Sequence, residues 1–121
     1  MTAQEGGCLC GQVRIVAHGA PDRVGLCHCL DCRKQLGAVF FDASMVTVNG
    51  ETAAYDERHF CPRCGSSVFN RSGREIEVHL DTFDDTSVFA PTYELWTSRK
   101  ESWLPDMPEL EGHTRDRRDN T

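Results

Sequence analysis

Between Gln12 and Ala17 the apolar side chains Val13, Ile15 and Ala17 fall on every second position, with Gln12, Arg14 and Val16 mostly opposite. That is the period of two expected of a half-buried strand. The same reading predicts strands over residues 38–41, 45–48, 52–55, 67–70 and 75–80. Asn49-Gly50 lies between two of these runs and Ser72-Gly73 between two others, pairs that tolerate the positive φ of tight hairpins. Helical periodicity is weak: the best stretch, residues 30–36, is barely two turns and predicts no more than a short helix carrying Cys32, Arg33 and Lys34. The fold is therefore predicted to be mainly β, in a single domain over residues 1–112. From His113 to Thr121 no apolar residue anchors the chain, which predicts a disordered tail.

Composition narrows the function classes. A chain of 121 residues is one domain's worth, and 39% hydrophobic content allows a single, thin core. Nineteen acidic against thirteen basic side chains leave a net charge of −6, which opposes binding to a phosphate backbone and argues against nucleic acid as partner. No run approaches the roughly 18 apolar residues of a membrane helix. Residues 1–7 lack the basic and apolar regions of a secretory signal, so a cytoplasmic location is expected. In a reducing compartment, seven cysteines point to metal or redox chemistry before disulfides.

The cysteines form three clusters: Cys8 and Cys10 in GGCLCG, Cys27, Cys29 and Cys32 in CHCLDC, and Cys61 and Cys64 in FCPRCG. Disulfides would leave one cysteine over. A thioredoxin-like site would need the strand before Cys61-Pro62-Arg63-Cys64 and the long helix after it that the pattern lacks. Structural zinc takes four thiolate or imidazole ligands, whereas catalytic zinc keeps three and an open position. The pairs Cys8/Cys10 and Cys61/Cys64 together supply four sulfurs, and Pro62 and Gly65 suit a zinc knuckle. The triad Cys27, Cys29 and Cys32 remains, able to cap one face of a second metal. By spacing alone both sites can be structural, with one of His18, His28, His59, His79 or His113 completing the second.

Taken together, GGCLCGQVR, CHCLDCRK, FCPRCGSSV, the later DTFDD and the closing SWLPDMPELEG resemble the glutathione-dependent formaldehyde-activating enzyme family, whose domain is shared with centromere protein V. The resemblance spans about residues 6–112 in order. It implies a β-tent fold of small stacked antiparallel sheets with two zinc ions, one structural on Cys8, Cys10, Cys61 and Cys64 and one catalytic on Cys27, Cys29 and Cys32. It also implies a carbon-sulfur lyase type of activity, the reversible addition of glutathione to formaldehyde giving S-hydroxymethylglutathione. One departure is visible: Glu94 stands where relatives often carry a histidine. Glutathione brings two carboxylates to an acidic protein, which makes Arg33 and Lys34, then Arg58 and Arg63, the candidate substrate-binding residues. Phe40, Phe41, Phe69 and Phe89 are expected in the core, Trp96 and Trp103 packing the C-terminal segment on the sheets, and Asp81, Asp84 and Asp85 in turn roles. The competing function is a zinc-stabilised binding module without catalysis, the use the same fold has in accessory factors for small GTPases.

Overall fold

A computed structural model describes residues 3–32 and 37–117. Eleven strands run through them: β1 (Gln4–Gly7), β2 (Arg14–Ala17), β3 (Arg23–Cys27), β4 (Gly37–Asp42), β5 (Val46–Asn49), β6 (Ala53–Tyr55), β7 (Arg58–Phe60), β8 (Ser67–Ser72), β9 (Glu75–His79), β10 (Tyr93–Leu95) and β11 (Glu111–Gly112). The helical content among these residues is single 3-10 turns such as Ala43–Met45 and Leu80–Thr82. The chain is thus mainly β, as its alternation predicts. Most of the short helix expected at residues 30–36, together with Arg33 and Lys34, lies outside the described residues.

The strands form two sheets. One has three strands in the order β1-β2-β5; the other has eight, in the order β11-β10-β3-β4-β9-β8-β7-β6. Ser72-Gly73 closes a true hairpin, since β8 pairs β9 with Ser72 opposite Glu75. Asn49-Gly50 does not: β5 pairs with β2 and β6 with β7, so this turn carries the chain from one sheet to the other. Two contacts are parallel, β10 with β3 and β10 with β11.

Register sorts the side chains of the large sheet into two faces, because residues opposite one another across strands point the same way. Val24 pairs Val39 and Val39 pairs Val78, and these with Phe41 and Ile76 are buried with Val13, just before β2, and with Ile15 and Ala17 of β2. The core is the space between the sheets. Phe41 and Phe69 are fully buried in it, and Phe89 stacks edge-on to Phe41 and Phe83. The opposite face carries Arg23, Gly25 and Cys27 from β3, Ala38 and Phe40 from β4, Glu77 and His79 from β9, and Tyr93 and Leu95 from β10. Gly25 is required there. A Cβ at that position would lie 2.3 Å from the Tyr93 ring, which crosses directly over the strand.

At the C-terminal end, residues 113–117 are tied back rather than loose. Backbone bonds run from Trp96 N–H to the Arg115 carbonyl and from Thr97 N–H to the His113 carbonyl, and the Trp96 indole donates to Asp116. Polar composition misleads here because the anchoring is made by main-chain groups. Residues 118–121 lie outside the description. Trp103 is 74% exposed, in a proline-flanked loop where no strand receives it, so of the two tryptophans only Trp96 packs as expected. Asp84 pairs with Arg14, and Asp85 accepts from the backbone and hydroxyl of Ser87. No helix among the described residues is long and apolar enough to cross a membrane.

Candidate metal centres

The four cysteines at positions 8, 10, 61 and 64 come together across a sequence gap of more than fifty residues, their sulfurs all within 4.8 Å of one another. Cys10 Sγ lies 3.7 Å from Cys8 Sγ and 3.8 Å from Cys61 Sγ. A tetrahedron with metal–sulfur bonds of about 2.3 Å has edges of about 3.8 Å, so these separations suit a shared metal and are far too long for a disulfide. The local backbone builds the cradle. Gly65, at φ +82°, turns the chain so that its N–H reaches the Cys61 carbonyl, while the N–H groups of Arg63 and Cys64 aim at Cys61 Sγ at 3.3 and 3.4 Å. The Gln12 amide adds a third donor to that sulfur, and Val13 N–H donates to Cys8 Sγ. The Ser66 hydroxyl accepts from Leu9 N–H and donates to Cys64 Sγ, tying the two knuckles together. This contact, with the Ser66 amide, holds the Cys64 thiol down to about 5. Donors converging on sulfur are what a thiolate ligand requires.

The sulfurs of Cys27, Cys29 and Cys32 likewise lie within 4.8 Å of one another, and no His, Asp or Glu among the described residues joins them. The five histidines are engaged elsewhere or lie away from the triad. His28 is buried on Glu94, His59 stacks on Phe69 at 4.5 Å, His79 bonds Asn70, His113 bonds Glu111, and His18 lies exposed. Three thiols from one turn are therefore left with a fourth position that the described chain does not fill. The Cys27 thiol, then Cys29 and the Arg58 guanidinium, hold Cys32 down to about 6; the same sharing and burial push Cys27 up. Both clusters can hold a metal ion.

Two cavities adjoin these clusters. A small one of about 40 Å³ is lined by Cys27, Cys32, Arg58, Asn70, His79 and Tyr93 among others. A larger one of about 810 Å³ runs along Cys8 to Gly11, Arg14, Ser66 and Asp84 and ends at Leu26, Gly37 and His79. Of the basic side chains expected at the substrate, Arg58 sits at the triad. Arg63 is exposed on the four-cysteine knuckle and borders neither cavity.

The sequence profile of the glutathione-dependent formaldehyde-activating enzyme family matches residues 3–99, which include both clusters. The chain belongs to this family. A Halomonas elongata protein provisionally named a glutathione-dependent formaldehyde-activating enzyme is 30% identical, over 93% of this chain and 84% of its own. In structure the chain is similar to a Rhodobacter sphaeroides protein solved in a structural-genomics programme, with a TM-score of 0.54, 22% identity and coverage of 67% of this chain and 88% of the other. At that identity the likeness speaks for the fold.

Within the family pattern, Glu94 has a defined place. Its carboxylate meets His28 Nε2 at 2.9 Å and Lys100 Nζ at 3.6 Å; His28 and Glu94 are buried, and Lys100, half-buried, also reaches Asp106 at 3.5 Å. His28 lies between Cys27 and Cys29, so this cluster fastens the back of the triad loop to β10. Glu94→Ala leaves His28 buried without its partner and Lys100 with only exposed Asp106, and should cost about 3 kcal/mol in chemical denaturation; Glu94→Gln, which keeps the bond to His28, should cost less. Residues that the motifs did not single out are Asn70, Glu77 and Tyr93, and His79 stood only as one possible ligand. For Glu77 and His79 the signal was the alternation of β9, which with Ile76 and Val78 inward puts both on the outer face; that Cys27, Asn70 and Tyr93 share that face follows only from the pairing of strands.

Proposed function

We propose that the protein catalyses the reversible addition of a small thiol, glutathione in the first instance, to formaldehyde, a carbon-sulfur lyase reaction when run toward cleavage. The observation that supports this most is the three-thiol cluster whose fourth position is unfilled by the described chain and which opens onto a cavity beside a guanidinium. In this reading two zinc ions bind per chain, a structural one on Cys8, Cys10, Cys61 and Cys64 and a catalytic one on Cys27, Cys29 and Cys32. A three-thiolate zinc, when bound, supplies a soft Lewis acid that favours sulfur and lowers the thiol's proton affinity. The chain's own residues do the rest. Arg58 offers charge to a substrate carboxylate, with Arg33 and Lys34 the further candidates directly after Cys32. The larger cavity has the size of ligand sites for molecules such as a tripeptide.

Isolated protein should carry two zincs per chain, one of them removable by chelator without loss of the fold. The holoenzyme should raise the initial rate of S-hydroxymethylglutathione formation above the spontaneous background in proportion to protein, read by NMR with labelled formaldehyde. A two-zinc protein that leaves the background rate unchanged would overturn the reading in favour of a binding module.

A further inference from the structure

The small cavity has a composed floor and wall. Register places Tyr93 beside Gly25, Gly25 beside Ala38 and Ala38 beside His79, so two residues with almost no side chain lie between an aromatic ring and an imidazole on one face of the sheet. One row on, Phe40, Glu77, Asn70 and Arg58 follow in the same order across four strands. The gap over Gly25 and Ala38 is the cavity, with Cys27 and Cys32 at its rim. About 10–15 Å³ of such volume holds one water, so about 40 Å³ admits only a few non-hydrogen atoms.

His79 is 7% exposed and lines both this cavity and the larger one, standing where the two meet. Its Nε2 is 3.0 Å from Asn70 Oδ1, and Asn70 in turn donates to Glu77 at 3.4 Å, a chain that fixes the ring. Its Nδ1 makes no well-formed hydrogen bond, although the Ser67 backbone lies near enough to favour the charged ring. Burial wins, with help from Arg58, and holds the imidazole down to about 4, so it is neutral near pH 7. With the neutral ring's one N–H on Asn70 Oδ1, Nδ1 can only accept, and a buried acceptor without a partner costs about 1–3 kcal/mol, which a ligand hydroxyl removes.

We propose that this cavity is the carbonyl subsite of the reaction, holding an aldehyde of one or two carbons over Gly25 and Ala38 so that the hydroxyl formed from its oxygen donates to His79 Nδ1. The inference rests on the thiol-addition reading above. In the step itself the sulfur–carbon bond forms, the carbonyl π pair moves onto oxygen, and the proton released by the thiol ends on that oxygen. A neutral imidazole can take up that proton and return it, so His79 is a catalytic residue and the Asn70–Glu77 chain positions it.

The test compares holoenzyme with His79→Phe, His79→Gln and Ala38→Val, each assayed for zinc content, melting, and rate against formaldehyde and glutathione separately. His79→Phe should keep two zincs and lower kcat about 100-fold, with KM for glutathione unchanged. His79→Gln, whose amide oxygen can still accept from that hydroxyl, should keep about tenfold more activity than His79→Phe. Ala38→Val should raise KM for formaldehyde about tenfold and abolish use of acetaldehyde while leaving glutathione's KM alone. Should His79→Phe fail to fold, Ala38→Val and His79→Gln still decide. Wild-type rates and KM values in the folded variants overturn the subsite while leaving the thiol-addition reading standing; a wild-type holoenzyme without acceleration overturns both.

Discussion

Cys61→Ser should give a chain that no longer folds cooperatively and that loses the metal of the four-cysteine site. Cys61 is fully buried and belongs to the hydrophobic core, packed with Val13, Val68 and Phe69 in one cluster, so the knuckle and the core are a single unit. Its sulfur receives the Gln12 amide and the N–H groups of Arg63 and Cys64, and lies 3.8 Å from Cys10 Sγ. Serine places a short, hard oxygen among donors set for a larger, softer atom. Zinc in a four-ligand structural site contributes on the order of 10 to 16 kcal/mol, as much as the whole net stability of a domain, so weakening it removes the margin. The effect is read by near-ultraviolet circular dichroism and by metal content. Leu9→Ala, between two ligands but 89% exposed, should melt as wild type does. A Cys61→Ser protein that unfolds cooperatively near the wild-type midpoint with all its metal would sink the assignment.

The contrast between these neighbours shows what spacing made legible. Tight turns such as Cys8-Leu9-Cys10 and Cys61-Pro62-Arg63-Cys64 announce themselves because ligand geometry constrains two residues one or two positions apart. The strands β2, β4, β5 and β9 were equally visible, each carrying apolar residues at every second position toward one core, and β8 showed as the Val68-Phe69 pair before the Ser72-Gly73 turn. The strands left unread fail that test for separate reasons. Arg23–Cys27 has Val24, Gly25 and Leu26 all buried, so its alternation is erased. Tyr93–Leu95 and Glu111–Gly112 pair in parallel and need no hairpin turn to mark them. Gln4–Gly7 holds its place through glycine: a Cβ on Gly6 would lie 2.3 Å from the Thr82 carbonyl. Family resemblance supplied the order of the motifs, yet it said nothing of His79, whose place on the face that carries Cys27 comes from the long-range register of β3, β4 and β9.

Cys32→Ser separates the two clusters by outcome. Cys32 is half-buried in the turn after β3, outside the hydrophobic core cluster, and bonds through its backbone N–H to Cys29 Sγ, a contact that serine retains. The fold should therefore survive, with a melting midpoint within a few degrees of wild type and one zinc per chain in place of two. Removing a second-sphere partner of a metal commonly costs about 10- to 100-fold in activity or affinity, and removing a ligand itself should cost at least about 100-fold in the rate of thiol addition. Charge sharpens the case: Arg58 lies against the Cys32 sulfur, so the variant leaves this guanidinium facing a neutral hydroxyl and should loosen metal retention further. Paired with His79→Phe, which should keep both zincs and lose turnover, the variant distinguishes loss of the metal from loss of the proton path. A Cys32→Ser chain that collapses together with Cys61→Ser would make the triad a second structural site, and the chemistry assigned to its open position would fall with it.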